Sequence, residues 1–404
     1  MLLQIAWRNI WRSRTRSLVV MGAVLIGVWS ILFIVSFSGA IVGGYVKNAI
    51  QNETAHFQIH HPDFITDKEI KYVLEQPEKI RQQATQIPAV QSATIRTVVQ
   101  GMIRSARGAR GVTIKGIDAL TEETVSNFER NIVEGKYFSE NRKNELLVSK
   151  ELAEKLKLKL RKKIVIQFQD LNNDIVAGAF RIVGIYKTGN KLFDSNNIFV
   201  KRSDLNRLID QEGIAHEVAI ILKNINTLEE AGQQLTSTFS NLQVRNYREI
   251  SPEVQLYESQ IDVSSTILTT IFMLALIFGI INTMLMAVLE RNRELGMLMA
   301  VGMNKVRVFS MIVLETLLLG IIAAPIGLLL GWLTISYFGN QGIDLSAFSD
   351  SLEQFGLTTQ IYTSLDGKYY FSLALAVLFT ALLASLYPAF KAINLRPVEA
   401  IRKI

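Results

Sequence analysis

Four long apolar runs constrain this chain more than any other feature. Residues 18–42, 263–289, 308–337 and 371–390 carry almost no charge, and the third predicted helix is assigned to 304–337. Each run is long enough for a helix to cross a bilayer, since about 20 residues cover roughly 30 Å of hydrocarbon. A composition of 49% hydrophobic residues without cysteine fits a large soluble enzyme or a membrane protein. The clumping of the apolar residues favours an α-helical polytopic membrane protein with four transmembrane helices.

The first apolar run follows a basic N-terminus and ends in small residues, as a cleaved signal peptide would. The apolar part of a signal peptide has about 7–15 residues, whereas the run at 18–42 is much longer. We therefore expect an uncleaved membrane anchor.

Basic residues flank the runs on one side of the predicted membrane. Because cytoplasmic loops are enriched in Lys and Arg, we expect both termini and the 290–303 connector in the cytoplasm. The 338–370 loop is acidic and is predicted outside. The basic residues are Arg8, Arg12, Arg14, Arg16, Arg291, Arg293, Lys305, Arg307, Lys391, Arg396, Arg402 and Lys403.

The segment 43–262 is predicted to form a large mixed α+β domain outside the membrane, inserted between helices 1 and 2 and divided into two lobes. Strand-like patterns occur at 93–99, 111–116, 164–168 and 180–185, and helical ones at 67–86, 149–158 and 227–239. The basic block "KLKLKLRKK" at 155–163 suggests either a solvated helix end or an anion-binding surface, and the modest net charge of +7 favours the first.

The sequence contains none of the common catalytic or nucleotide-binding motifs. GxxxxGK[ST], HExxH, GxSxG and CxxC are all absent, so we expect no catalytic residue and no cofactor in this chain. His56, His60 and His61 lie near Asp63 and Asp67, but Pro62 interrupts the spacing and no metal site is predicted. "GARG" at 108–111 is typical of a turn.

A few polar residues lie inside the predicted membrane helices. Glu315 is either functional or an interfacial group paired with a neighbouring helix, because a carboxylate in hydrocarbon costs at least a few kcal/mol. Asn282 is a candidate for an interhelical hydrogen bond. Pro325, with Gly320, Gly327 and Gly331 nearby, predicts either a bend or close helix packing.

The charged connector at 290–303 has helical periodicity. Glu290 with Arg293, and Arg291 with Glu294, are i,i+3 partners of opposite charge. Leu295, Leu298, Met299 and Val306 predict an apolar side. Gly302 suits the C-terminal position of this helix and Asn304 suits the cap of the next. Either the connector only sets topology, or it is a docking surface.

Several motifs resemble the ABC-transporter permeases of the MacB, LolC, LolE and FtsX superfamily. "AWRNIWRSRTRS" (6–17) is similar to the family's amphipathic N-terminal helix, assigned here to residues 1–17. "VEGKYFSENRKNELLVSKELAEKL" (133–156) and "FRIVGIYKTG" (180–189) are similar to its extracytoplasmic domain, although Arg161 stands where relatives carry a glycine. "YPAFKAINLRPVEAIR" (387–402) resembles its C-terminal tail, assigned to 391–404. "ERNRELGMLMAVGMNKVRVFSMIVLE" (290–315) matches the family signature at Glu290, Arg291, Arg293, Glu294, Gly296, Leu298, Ala300, Gly302 and Glu315.

The resemblance implies a dimeric permease, built with a second copy or a paralogue, that works with two cytoplasmic ABC ATPase subunits. The connector would be the coupling helix seated on the ATPase, and ATP and Mg²⁺ would be bound by that partner. The chain would lie in a bacterial inner membrane, among membrane lipids, with its large domain in the periplasm and no role in nucleic-acid binding.

The long 338–370 loop resembles the lipoprotein-releasing LolC/LolE branch, which implies lipoprotein substrates and a periplasmic chaperone. A possible lipid-facing cavity would be lined by Phe33, Phe37, Met273, Leu276 and Phe278. MacB-like efflux of drugs or peptides, and an FtsX-like signalling or scaffolding role without transport, are the alternatives.

Overall fold

The computed structural model describes residues 2–126, 128–354, 356–357 and 359–394. The chain separates into a helical unit, Met1–Ala40, Ser259–Asp344 and Gln360–Ile404, and a mixed unit, Ile41–Glu258 and Leu345–Thr359. Most of the predicted tail at 391–404, with Arg396, Arg402 and Lys403, lies outside the described residues.

Four long helices make up most of the helical unit, and two of them extend beyond it. They span Arg14–Ala49, which continues as a π-helix over Ile50–Thr54, then Pro252–Glu290, Lys305–Gln341 and Gly367–Ile393. All four are long and apolar enough to cross a membrane. Helices suit that role because each satisfies its own backbone hydrogen bonds in hydrocarbon.

Two short helices, Leu2–Arg12 and Asn292–Ala300, belong to the same unit. A turn at Ser13 ends the first of them, and the first long helix begins at Arg14. The predicted N-terminal segment, 1–17, therefore contains one helix and the start of another. The Ser17 hydroxyl donates to the Ile10 carbonyl over 2.8 Å and holds the two helices at this turn.

Glycines bring the third long helix close to the first. A Cβ at Gly327 would lie 2.9 Å from the Leu25 carbonyl oxygen, and one at Gly331 would lie 2.4 Å from Leu32 Cδ1. The helix continues through Pro325. These glycines thus serve close packing, one of the two predicted alternatives.

The predicted 338–370 loop contains regular structure. Two-residue strands, Ile343–Asp344 and Gln360–Ile361, pair antiparallel. Between them lie a 3₁₀ turn, Ser346–Phe348, and a short helix, Ser349–Gln354.

The mixed unit is built on a ten-stranded sheet. The strands are β1 Phe57–His60, β2 Val90–Ser105, β3 Gly108–Ile117, β4 Ile132–Gly135, β5 Glu145–Ser149, β6 Lys163–Gln169, β7 Ile175–Tyr186, β8 Asn197–Lys201, β9 Glu217–Leu222 and β10 Gln243–Asn246. Their order is β10-β1-β9-β2-β3-β8-β5-β7-β4, with β6 paired to β2 and β7. The β3–β8 and β5–β7 pairs are parallel and the others antiparallel. The predicted strands lie within β2, β3, β6 and β7.

Short helices cover this sheet. The predicted helix at 67–86 is wrong between 68 and 76, because Lys68 and Gln76 have positive φ angles and Pro77 starts a new helix. The helices are Phe64–Asp67, Pro77–Thr85, Ala119–Glu123, Lys150–Leu156, Lys191–Asn196, Arg202–Leu208, Leu228–Thr238 and Tyr247–Ile250, with 3₁₀ turns at Phe128–Asn131 and Ile225–Thr227.

Arg161 adopts the backbone conformation that a glycine would take without strain. Its φ is 66°, and its N–H donates to the Ile182 carbonyl over 2.8 Å. A non-glycine residue in the left-handed region costs about 1–2 kcal/mol. The chain therefore forms this turn with an arginine in the left-handed region.

The 16-residue strand β2 joins the two halves of the mixed unit. Its first part, Val90–Arg96, pairs with β9, and its second part pairs with β3 and β6. Separate hydrophobic clusters lie along the two parts, one with Ile95 and Val218 and another with Ile103 and Ile166. The two predicted lobes thus share one continuous sheet.

A buried ion triad marks the point where β2 changes partners. Arg96 is 2% exposed and donates to both Glu122 oxygens, over 3.0 and 2.7 Å, and to Glu217 over 2.6 Å. Glu122 lies on the helix Ala119–Glu123 and Glu217 begins β9. Desolvation opposes these charges, and the two carboxylates nevertheless raise the pKa of Arg96 above its usual range.

Replacing the arginine of this triad is expected to loosen the sheet at the change of partner. Arg96→Met leaves two carboxylates buried without their cation, a change that typically costs about 3–5 kcal/mol. Native-state hydrogen exchange of the β2 and β9 amides in the intact chain measures the loss. Arg104→Met, an exposed cation on the same strand, is the control and should change protection by less than about 0.5 kcal/mol. Equal protection in both variants would contradict a structural role for the triad.

Candidate functional site

The connector between the second and third long helices is a separate short helix with defined ends. It spans Asn292–Ala300 and is followed by Gly302, whose φ is 103°. The Met303 N–H donates back to the Leu298 carbonyl over 3.0 Å. The Asn304 side chain then caps the third long helix by accepting from the Val306 N–H over 3.2 Å. Gly302 and Asn304 thus end one helix and start the next in the predicted way.

Two carboxylates of the connector region pair with the N-terminal segment. Glu294 contacts Arg12, and Glu290 contacts Arg16. The predicted partner of Glu290 was Arg293, which instead is exposed and forms no ion pair with any residue the structure describes. Sequence periodicity could not reveal Arg12 and Arg16 because they lie more than 270 residues away.

Arg291 ties the connector to the third long helix. Its Nη1 lies 3.3 Å from Oε2 of Glu315, and its Nε lies 3.4 Å from Oε2 of Glu294, the predicted i,i+3 partner. Glu315 is 5% exposed. Glu315 is therefore paired with a residue of a neighbouring helical segment, Arg291. A functional role for Glu315 beyond this pairing stays a prediction.

The connector buries one side and exposes the other. Leu295 and Gly296 are buried, and Met299 packs against the same core. Leu298 and Val306, predicted on this apolar side, are instead 40% and 66% exposed. We define the outer face of the connector as its exposed residues Arg293, Met297, Leu298, Ala300 and Val301.

The residues proposed to line a lipid-facing cavity do not all come together. Phe33 and Phe37 stack with ring centroids 6.0 Å apart, and Phe33 also contacts Phe338. Leu276 is packed in the core, where a Cβ added to Gly27 would lie 3.4 Å from it. Met273 receives a contact from the Thr380 hydroxyl over 3.3 Å, and Phe278 is 70% exposed.

Asn282 lies on an exposed surface of the second long helix. Its neighbour Thr283 donates to the Gly279 carbonyl of the same helix over 2.8 Å. The predicted interhelical hydrogen bond of Asn282 is therefore not made to a described residue of this chain.

The three neighbouring histidines serve backbone and side-chain hydrogen bonds. His56 Nδ1 accepts from the Leu222 N–H over 3.0 Å, and His60 contacts the His216 carbonyl over 2.9 Å. Burial lowers the pKa of His60, which favours its neutral form. His61 is partly exposed and stacks on Tyr72 with centroids 5.2 Å apart. Among the described residues, no group of three His, Cys, Asp or Glu is placed to hold a metal ion.

Sequence comparisons match both parts of the chain to known families. Residues 17–238 match the MacB-like periplasmic core domain, and residues 266–397 match the FtsX-like permease C-terminal family. The first match contains all but the last strand of the sheet, and the second contains the connector.

Individual relatives are distant. An uncharacterized ABC transporter permease of Methanocaldococcus jannaschii is 22% identical over 344 residues, which cover 81% of each chain. The macrolide export ATP-binding/permease protein MacB of Escherichia coli is 25% identical over 166 residues, covering 39% of this chain and 26% of that protein. The solved periplasmic region of MacB from Actinobacillus actinomycetemcomitans gives a TM-score of 0.36 at 13% identity, covering 52% of this chain and 97% of that one.

The two family matches follow one another along the sequence, and the first alone covers more than half of it. The four long apolar helices and the mixed sheet agree with a membrane-embedded permease that carries a periplasmic-type domain. The chain therefore belongs to the MacB/FtsX-like family of ABC transporter permeases.

Proposed function

We propose that this chain is a non-catalytic permease subunit that transmits the movement of a separate cytoplasmic ATPase to its extracytoplasmic domain. The observation that carries the proposal is the connector helix, which is held from behind by ion pairs and presents an exposed outer face. A surface that is anchored on one side and apolar on the other suits a docking contact. A connector that only sets topology would need neither feature.

The ion pairs supply a route for movement. Glu290 contacts Arg16 of the first long helix, and Arg291 contacts Glu315 of the third. A force on the outer face would therefore act on two long helices. The first of these runs without a break from Arg14 to Ala49, shortly before β1 begins at Phe57. We infer that its displacement is delivered to the domain inserted between helices 1 and 2.

The assembly would contain two such permease chains, identical or paralogous, and two ABC ATPase subunits that bind ATP and Mg²⁺. The exposed Asn282 in the second long helix offers a hydrogen bond to the neighbouring permease. Both termini would lie in the cytoplasm and the mixed unit in the periplasm of a bacterial inner membrane, as the distribution of basic residues indicates.

The cargo we propose is a lipoprotein, extracted from the inner membrane and passed to a periplasmic carrier. The length of the 338–370 loop and its folded segment, Ile343–Ile361, support this branch. The similarity to the E. coli macrolide exporter favours efflux of drugs or peptides equally well. The two candidates differ in where their substrates accumulate after depletion of the chain.

The outer face is expected to be the ATPase contact. The double variant Met297→Glu and Leu298→Glu places two charges in an apolar interface and should reduce ATPase co-purification at least about tenfold, as loss of a hot spot does. Met297 and Leu298 are 56% and 40% exposed, so folding should be retained. Leu120→Glu with Leu192→Glu, two exposed leucines of the mixed unit, is the matched control. Normal co-purification of the connector variant would contradict the assignment.

Reversing the connector carboxylates is expected to displace the helix. Glu290→Lys with Glu294→Lys turns both pairs into repulsions and should abolish ATPase association. If the carboxylates act through their partners, adding Arg12→Glu and Arg16→Glu should restore most of it, as measured by pull-down. A folded quadruple variant that stays unassociated would mean that Glu290 and Glu294 contact the ATPase directly.

Depletion of the chain is expected to leave mature lipoproteins in the inner membrane. Fractionation of inner and outer membranes after shut-off of expression measures this, and an integral outer-membrane protein without a lipid anchor is the control. Normal lipoprotein sorting with increased sensitivity to macrolides or peptides would overturn lipoprotein release in favour of efflux.

A further inference from the structure

Two basic segments, 101–111 and 155–168, come together on the mixed unit. Together they contain nine Lys or Arg and no Asp or Glu, in a chain whose net charge is only +7. The first is the end of the β2–β3 hairpin, whose turn lies at Ala106 and Arg107, so the prediction of a turn at "GARG" (108–111) is wrong and these residues begin β3. The second is the "KLKLKLRKK" block with most of β6. Sequence alone suggested an isolated turn and a solvated helix end.

Two contacts join the segments, and a third extends the surface to β7. Arg104 of β2 pairs across the sheet with Val165 of β6, and Lys163 of β6 pairs with Arg181 of β7. A Cβ at Gly108 in the hairpin would lie 3.9 Å from Leu156 Cδ2 at the end of the helix Lys150–Leu156. The hairpin, the helix end and the first part of β6 thus form one surface.

We define the basic surface by its exposed cations, which form no ion pair with any residue the structure describes. Arg104 makes one weak side-chain contact, to Gln167 over 3.4 Å. The acidic residues on the adjoining helix are already engaged, since Glu151 lies 2.8 Å from Lys155 and Glu154 lies 4.0 Å from Lys150. The cations are Arg104, Arg107, Arg110, Lys157, Lys159, Arg161, Lys162, Lys163 and Arg181.

The strand register makes part of this surface flat. Antiparallel partners share a face, so Arg104, Val165 and Ala179 form one row, and Lys163 with Arg181 forms another. Ala109, opposite Arg104 on β3, extends the first row. Four strands about 4.8 Å apart give a width of roughly 15 Å with small side chains between the cations. A flat surface of this kind lets an extended polymer contact several cations at once.

We propose that the basic surface binds an extended phosphate-bearing polyanion. A folded protein partner fits less well, because the one aromatic residue of the two segments, Phe168, is buried, whereas protein interfaces are enriched in aromatic residues and depleted of Lys. A membrane surface fits less well, since peripheral binding combines cations with large inserted apolar groups. Here the exposed apolar side chains are Met102 and Val165, at 44% and 39%.

Binding to long-chain inorganic polyphosphate tests the proposal on the full chain in detergent. Contact with about six or more phosphates should make the affinity fall at least about 10³-fold between 50 and 200 mM salt. The triple variant Arg107→Gln, Lys159→Gln and Lys162→Gln should weaken binding and reduce the salt slope by about 3, one for each lost contact. These three side chains are exposed, so the variant should fold normally.

Three exposed cations elsewhere on the mixed unit provide the matched control. Lys79→Gln, Arg130→Gln and Lys143→Gln remove the same charge and should leave the affinity and slope nearly unchanged. Equal weakening in both triple variants would overturn the proposal, because binding would then follow net charge. Failure to bind polyphosphate, or binding confined to vesicles of anionic lipid, would overturn it as well. Neither result depends on the ATPase, so the proposed coupling function is tested separately.

Discussion

The carboxylate of Glu315 is the group on which the connector depends. It lies inside the third long helix and is almost fully buried. A charge at such a position costs several kcal/mol unless it is paired. Its partner, Arg291, stands at the start of the connector and also reaches Glu294, which contacts Arg12. One buried carboxylate thus organises a chain of alternating charges that positions a nine-residue helix.

The mixed unit also contains a buried group of ion pairs, at the point where β2 changes partners. Arg96 stands where β2 leaves β9 for β3, and its two carboxylate partners come from a helix and from β9. Burial lowers the pKa of Lys115, although Glu122 and Glu217 both act to raise it. Buried ion pairs contribute little net stability compared with apolar packing, but breaking one is costly. We infer that the triad keeps the two halves of the sheet in a single register.

The sequence predicted the elements that depend only on residues close together in the chain. The four apolar helices follow from hydropathy, and the break at Gly302 and Asn304 follows from backbone preference and capping. Predictions from helical periodicity were wrong where a residue contacts others that are distant in the sequence. Glu290 pairs with Arg16 and Leu298 is exposed, because ion pairs hold the connector region to the N-terminal segment and to the third long helix. The segment 68–76 is non-helical although its composition allows a helix, and Leu74 bonds to Ala215 instead. The meeting of two basic segments across β2, β6 and β7 also needs the strand order, which periodicity does not contain.

The ion pairs of the connector differ in burial, and we infer that they differ in how easily they break. Arg12 and Glu294 are 60% and 42% exposed, so their pair is worth about 0–1 kcal/mol and can break and reform. Arg291 and Glu315 are 17% and 6% exposed, and separating them would leave a carboxylate in the membrane helix. A movement imposed on the outer face should therefore carry the third long helix with it, while the N-terminal helix can slide. The glycine contacts at Gly327 and Gly331 then pass that displacement to the first long helix, since close packing leaves no space to absorb it.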